Sequence, residues 1–357
     1  MPAPPQLLSH NRAVIAWLIC VIGLVFCMVV VGGITRITES GLSIVEWAPV
    51  VGALPPITDA DWLLAFQQYQ QSPQYRLVNT GMSMDDFKFI FFWEWFHRLL
   101  ARFVGLAFGL PFIWFALKGA FNPALRNRLL VALILGGSQG AIGWFMVMSG
   151  LVDEPRVSHF RLALHLGMAF IIISYLGWIV LGLLRPERRA QPERQVLALL
   201  KWITGLMILQ IVYGAFVAGM RAGWLFGTFP KMGDQWFGVG ITELSPWLLN
   251  TVENPVMVQF IHRWLGVAVL LLVFVYWLLV RRYELTNDLR NSAYALFGLV
   301  CVQFLLGVHT LIHAVPLVPA VAHQATASLI VLSLVYCWVA RYRQPLSVEA
   351  GRLAGAV

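Results

Sequence analysis

Eight apolar segments constrain this chain more than any other feature. Each is roughly 20 residues or longer, which is the length that an α-helix needs to cross the hydrocarbon core of a bilayer. They lie near residues 13–34, 87–117, 127–148, 158–184, 198–220, 255–280, 291–312 and 318–340. A charged fraction of 12% and a mean hydropathy of +0.74 exclude a soluble globular domain. We therefore predict an all-α integral membrane protein with eight transmembrane helices.

The basic residues predict how these helices are oriented. Lysines and arginines crowd the ends of the segments on one side, most densely in the linker 185–201. Because cytoplasmic loops carry the excess of basic residues, both termini and this linker are expected to be cytoplasmic. The two long loops, near 35–86 and 221–254, are then outside. The net charge of +8 is explained by this topology, and we expect no nucleic-acid partner.

The two halves of the chain resemble each other. The repeated pieces are Phe96-His97-Arg98 and Ile261-His262-Arg263, Ala163-Leu164-His165 and Val321-Ala322-His323, and the pair Gln139 and Gln303. Four helices used twice in the same orientation predict two tandem pseudo-symmetric four-helix bundles. We place the first bundle in residues 1–186 and the second in residues 187–357.

Four of the eight histidines form one repeated pattern. His97 and His165 belong to alternate helices of the first half, and His262 and His323 occupy the matching places in the second. Facing imidazoles at one depth in an apolar bundle are a common way to hold a heme iron. A zinc site would require further cysteine or carboxylate ligands, which the second half does not offer at that depth. We therefore predict two bis-histidine heme sites.

The remaining histidines have ordinary explanations. His10 lies in the N-terminal tail, and His313 lies at an outer helix end. His159 and His309 are expected to be hydrogen-bonded within the bundle rather than to bind a metal.

Four arginines accompany the histidine pattern. Arg98 and Arg263 each follow a predicted ligand, and Arg36 and Arg221 each follow a glycine-containing end of the first helix of a half. Guanidinium groups bind carboxylates well, so these residues are candidates to bind heme propionates. Ordinary snorkelling to the membrane interface is the alternative.

The two halves differ at one informative position. Three residues before the histidine, the first half has Glu94 and the second has Gln259. A carboxylate on the histidine face of the helix can accept a proton or stabilise positive charge on a substrate carbon, and a glutamine does neither as well. This suggests that one site performs chemistry and the other transfers electrons. Alternatively, Glu94 pairs with Arg98 one turn away, and the two roles are compatible.

Three long motifs resemble the heme A synthase family, in its proteobacterial and mitochondrial branch. They are Glu-x-x-His-Arg at 94–98, the segment 155–167 that leads through His165, and Gly-Gly-Ile-Thr-Arg-Ile-Thr-Glu-Ser-Gly-Leu-Ser at 32–43. The similarity extends from the first helix to the eighth. It implies a multi-pass protein of the bacterial inner membrane that oxidises a methyl group of heme O to a formyl group, through a hydroxymethyl. The product, heme A, serves cytochrome c oxidase.

The resemblance also implies roles for individual residues and partners. His97 and His165 would hold the substrate heme, His262 and His323 would ligate a heme b, and Glu94 would match the catalytic carboxylate. Expected partners are membrane lipid, a heme O synthase, cytochrome c oxidase assembly factors and an unidentified electron-transfer partner. Some bacterial relatives carry a cysteine pair in the first outer loop; residues 35–86 contain no cysteine, so a thiol-pair mechanism is excluded here.

Two other functions fit the same sequence. A diheme b-type electron carrier would place its hemes at different depths, whereas all four histidines lie on the outer side. A heme chaperone for oxidase assembly would leave Glu94 without a chemical role.

Overall fold

The computed structural model describes residues 5–46, 51–151, 155–184, 193–283 and 287–340. The predicted boundary between residues 186 and 187 and the C-terminal tail lie outside these ranges. The division into 1–186 and 187–357 and the cytoplasmic placement of the termini therefore stay predictions.

The described residues form eleven α-helices. In chain order they are α1 (Pro5–Ile37), α2 (Asp59–Gln70), α3 (Pro73–Leu77), α4 (Met84–Leu117), α5 (Pro123–Met148), α6 (His159–Leu184), α7 (Arg194–Gly219), α8 (Asn250–Glu253), α9 (Pro255–Arg282), α10 (Asn287–Ile312) and α11 (Leu317–Ala340). Eight of these are long and apolar enough to cross a membrane: α1, α4, α5, α6, α7, α9, α10 and α11. The predicted all-α membrane class with eight spanning helices is confirmed.

Side-chain caps fix where several of the spanning helices begin. The Ser83 hydroxyl accepts a hydrogen bond from the Asp86 amide at the start of α4. Asn122 and Asn254 cap α5 and α9 in the same way, and each is followed by a proline. Proline is favoured at this position because its missing N–H would have no partner in the helix.

The contacts between helices are consistent with two four-helix bundles. In the first half, α1 packs on α4 and α6, and α5 packs on α4 and α6. In the second half, α9 packs on α7 and α10, and α10 packs on α11. Each half has its own apolar core, centred on residues such as Leu18 and Ile173 in the first and Ile203 and Leu296 in the second. Outward-facing apolar stripes, such as Leu106, Leu110 and Ile113 on α4, suit a lipid environment.

The halves meet along α6 and α11, with α1 touching α11 and α6 touching α7. The close approach of α6 to α11 depends on Gly177, because a Cβ there would lie 2.8 Å from the Leu332 side chain. The Gln324 amide on α11 donates a hydrogen bond of 2.8 Å to the Val29 carbonyl on α1. These contacts repeat in pairs, as expected of halves related by a pseudo-twofold axis.

The two long loops leave the bundles at the same end, which we call the long-loop end. The first loop carries α2 and α3 and folds against the first turns of α4. Tyr69 and Phe87 are fully buried in this contact, and their rings stack at 5.2 Å. The first loop is thus a packed cap, and α4 extends into it beyond the membrane-spanning part.

Candidate functional site

Each of the four predicted ligand histidines packs against a glycine on the preceding spanning helix. The pairs are His97 with Gly32, His165 with Gly143, His262 with Gly214 and His323 with Gly307. A Cβ on these glycines would lie 3.1, 2.9, 3.1 and 2.9 Å, respectively, from the imidazole Cε1. A larger residue at any of these positions would displace the ring. We call Gly32, Gly143, Gly214 and Gly307 the cradle glycines.

The cradle glycines place all four histidines at one depth. Each of them lies five residues before the last residue of its helix, at the long-loop end. The level arrangement that the sequence predicted for the four histidines is therefore what the helices produce.

Each half brings its two histidines together. The imidazoles of His97 and His165 lie within electrostatic range of each other, as do those of His262 and His323. All four histidines are half-buried.

The Nδ1 atoms differ among the four histidines. Those of His97, His165 and His262 are buried and have no hydrogen-bond partner. That of His323 lies 3.0 Å from the Gln303 carbonyl oxygen. Imidazole is a preferred ligand of heme iron, so the histidine pair in each half fits one heme group.

A glutamine lies one turn before three of the cradle glycines. The side-chain amide nitrogen of each glutamine lies close to the Nε2 atom of a histidine. The distances are 3.4 Å for Gln139 and His165, 3.5 Å for Gln210 and His262, and 3.2 Å for Gln303 and His323. The fourth position, beside His97, is Met28. The repeat Gln-x-x-x-Gly is readable in the sequence, where we matched Gln139 with Gln303 but noted neither Gln210 nor the glycines.

The Glu94 carboxylate is buried and held by three donors. Its Oε1 accepts a hydrogen bond of 2.6 Å from the Arg98 guanidinium, which confirms the i,i+4 pair. Its Oε2 accepts bonds from the Ser43 hydroxyl at 2.7 Å and from the Ile44 amide at 2.8 Å. Only 3% of the residue is exposed. Glu94 is therefore an oriented anion, one helical turn from His97.

Arg98 and Arg263 make equivalent hydrogen bonds in the two halves. Each donates to carbonyl oxygens of the segment that follows the first helix of its half. Arg98 binds those of Ile44 and Glu46, at 3.0 and 3.2 Å. Arg263 binds those of Phe226, Thr228 and Lys231, at 2.6, 2.6 and 3.1 Å. We call these segments, residues 43–46 and 225–231, the first and second straps.

The two arginines are thus committed to backbone carbonyls. A guanidinium has five N–H donors, so a further bond to a propionate is compatible with these contacts. That role stays a prediction for both residues.

Arg36 and Arg221 each follow the first helix of a half, but they do not occupy matching positions. Counted from the cradle glycines Gly32 and Gly214, the residue that matches Arg221 is Glu39. Both have a positive φ, of 57° for Glu39 and 55° for Arg221, and each precedes a short 3₁₀ helix. The sequence reading matched residue types, whereas the backbone conformation shows the true register.

Arg36 and Arg221 instead join the two halves. The Arg36 guanidinium donates to the carbonyls of Ala218 and Gly219 at the end of α7, at 2.6 and 3.2 Å. Arg221 forms an ion pair with Glu39 of the other half. Propionate binding by Arg36 and Arg221 stays a prediction.

The other described histidines lie outside the repeated sites. His159 packs against Phe216 and lies 3.8 Å from a Glu253 carboxylate oxygen. His309 and His313 contact each other at 4.1 Å between ring centroids. Among the residues that the structure describes, no three His, Cys, Asp or Glu side chains come together as a metal site. Each histidine pair therefore has no third protein ligand of these types there.

Comparison with known proteins gives one consistent family. Residues 15–335 match the COX15-CtaA family model, described as cytochrome oxidase assembly protein. A protein named heme A synthase from Nitrosospira multiformis is 44% identical over 328 residues, which is 91% of this chain and 92% of that protein. Its namesake from Rhodospirillum centenum is 44% identical over 96% of this chain and 91% of its own length. A third protein of this name, from Flavobacterium johnsoniae, is 41% identical over 92% of this chain and 97% of its own length.

Proposed function

The chain belongs to the COX15-CtaA family of cytochrome oxidase assembly proteins, and from this premise we propose that it is a heme A synthase. It is an integral membrane oxidoreductase that takes heme O as substrate and releases heme A. A methyl group of the porphyrin becomes a formyl group by way of a hydroxymethyl. The membrane is the bacterial inner membrane, with both termini in the cytoplasm and the long-loop end outside.

The first bundle, within residues 1–186, binds the substrate, and the second, within 187–357, binds a heme b. His97 and His165 hold the iron of heme O, and His262 and His323 hold that of heme b. The cradle glycines support this assignment, because they admit the two imidazoles of each half at one level of the bundle. When bound, heme b supplies one-electron transfer.

The observation that carries the proposal is the difference between two otherwise repeated sites. Both have a histidine pair, cradle glycines and an arginine-anchored strap, but only the first has a buried carboxylate. Gln259, which replaces Glu94 in the second half, instead donates to the Phe226 carbonyl at 3.3 Å. Chemistry that develops positive charge on a substrate carbon therefore has an electrostatic partner in the first half alone.

The contacts of Glu94 favour one of its two conceivable roles. Three donors use three of the roughly four lone-pair sites of its oxygens, so the carboxylate is held in one orientation. An anion in a fixed orientation needs no rearrangement to stabilise positive charge. Glu94 acts as an electrostatic stabiliser beside the reacting carbon.

The electron carrier and the heme chaperone explain less of the molecule. A carrier that bridges the bilayer has no use for two sites at one depth, and a chaperone has no use for a buried carboxylate at one site. The further partners of the proposed enzyme are membrane lipid, a heme O synthase, oxidase assembly factors and an unidentified electron-transfer partner.

The test is heme identification after co-expression with a heme O synthase. The purified protein is expected to contain heme b together with heme O, heme A or the hydroxymethyl intermediate, separated by chromatography. Glu94→Gln is expected to keep both hemes and to lose formyl heme by about 100-fold, the scale of one lost electrostatic contact in a transition state. His262→Ala is the matched arm and is expected to lose heme b. Heme b alone at both sites would favour the carrier, and full activity of Glu94→Gln would refute the role of the carboxylate.

A further inference from the structure

We propose that Ser43 is a positioning residue for the reaction, acting through Glu94. This inference rests on the proposed function, because it concerns the carboxylate that the proposal places beside the substrate. The serine hydroxyl and the neighbouring Ile44 amide hold one carboxylate oxygen, while Arg98 holds the other. Together they fix the plane of the carboxylate.

The Ser43 hydroxyl has one good acceptor. Its oxygen lies 2.7 Å from Glu94 Oε2 and 3.4 Å from the Ile90 carbonyl oxygen. A hydroxyl carries a single proton, and the shorter contact is the stronger bond, especially toward an ionised acceptor. Ser43 is 2% exposed, so water does not compete for this proton.

The backbone fixes the serine from both sides. Before it, residues 40–42 form a 3₁₀ helix, and the Ser43 amide donates to the Ser40 carbonyl at 3.1 Å. After it, Arg98 holds the carbonyls of Ile44 and Glu46. The hydroxyl is therefore placed by a strap that is itself anchored, which is the arrangement that a pre-organised site requires.

The second half shows that the strap does not need this serine. Counted from the cradle glycines, Leu225 occupies the position of Ser43, and Phe226 occupies that of Ile44. The second strap is nevertheless held in the same way, by Arg263. A hydroxyl is thus present only where its partner is a carboxylate. Because the second strap is anchored by its arginine without a hydroxyl at this position, we assign the Ser43 hydrogen bond to the orientation of Glu94.

The experiment compares Ser43→Ala with Ser43→Thr. Loss of the hydroxyl is expected to slow heme A formation by roughly 10-fold to 100-fold, the scale of one hydrogen bond to a charged group. Heme b and heme O contents are expected to stay at wild-type levels. Ser43→Thr, which keeps a hydroxyl, is expected to recover most of the rate.

Infrared difference spectroscopy separates positioning from a general loss of structure. The carboxylate band that disappears in Glu94→Gln is assigned to Glu94. In Ser43→Ala this band is expected to shift, and in Ser43→Thr to return toward its original frequency. An unshifted band or a wild-type rate in Ser43→Ala would overturn the inference. If Ser43→Ala behaves like the wild type while Glu94→Gln is inactive, the role of Ser43 fails and the proposed role of Glu94 stands. If Glu94→Gln is itself fully active, the proposed role of the carboxylate fails.

Discussion

The cradle glycines make a quantitative prediction that is independent of catalysis. In Gly307→Ala, the new Cβ would lie 2.9 Å from the His323 Cε1, and ordinary van der Waals contact begins at 3.4 Å. The imidazole must therefore move by about 0.5 Å, whereas metal–ligand distances hold to within about 0.2 Å. The ring cannot simply swing aside, because its Nδ1 is tied to the Gln303 carbonyl at 3.0 Å. We expect heme b affinity to fall by about 10-fold to 100-fold, the range seen when the support of a metal ligand is lost.

The assay is the heme b content of the purified protein, measured from its reduced absorption spectrum and by titration with added heme. Gly298→Ala, on the same helix, is the matched control, because no atom lies within 4 Å of its added Cβ. Both substitutions raise intrinsic helix propensity by up to about 1 kcal/mol. A loss of heme b confined to Gly307→Ala therefore cannot be attributed to a weaker helix. Equal heme b content and an unchanged low-spin spectrum in both variants would refute the cradle.

Two further predictions concern the straps and the first outer loop. Arg263→Met removes three hydrogen bonds to the second strap from a residue that is 8% exposed. We expect the free energy of local opening of residues 226–231 to fall by about 2 kcal/mol, which corresponds to roughly 30-fold faster amide exchange in this segment. Arg282→Met is the control and is expected to leave this exchange unchanged. Equal exchange in both variants would contradict the anchoring role of Arg263. At the start of α2, a side-chain hydrogen bond from Thr58, with its backbone amide, holds the pKa of Asp61 below its ordinary value. The ionised Asp61 carboxylate therefore stabilises the start of α2 at pH values above the ordinary carboxyl pKa, and this stabilisation is lost as the pH falls through the lowered pKa. Protection of the α2 amides from exchange is expected to fall in acid. In Asp61→Ala this pH dependence is expected to disappear.

Much of the fold could be predicted from the sequence because the membrane imposes it. Apolar segments of spanning length have one stable outcome, so all eight helices were found near their true positions. The histidine repeat likewise predicted which helices share a site. Both signals are local in the sequence, or repeat with the same residue types.

The cradle glycines and the straps could not be found in this way. Glycine is frequent in membrane helices, and this chain has 30, so a glycine alone does not indicate a histidine contact. The Gln-x-x-x-Gly repeat distinguishes Gly143 from Gly140, but the contact with His165 depends on where the neighbouring helix lies. The contact of Ser43 with Glu94 joins residues that are far apart in the chain. It depends on the path of the strap over α4, which no periodicity encodes.

The register that matches Glu39 with Arg221 bears on how the halves assemble. Matching positions that lie on a twofold axis face each other, so identical charged residues there would place like charges in contact. The matching positions here carry Glu39 and Arg221, and the two form an ion pair. Both side chains remain about one-third exposed, so the pair contributes at most about 1 kcal/mol. Its effect is on specificity: each half attracts the other half and repels a second copy of itself. The two halves therefore differ at their junction, in Glu39 and Arg221, as well as at Glu94 and Gln259.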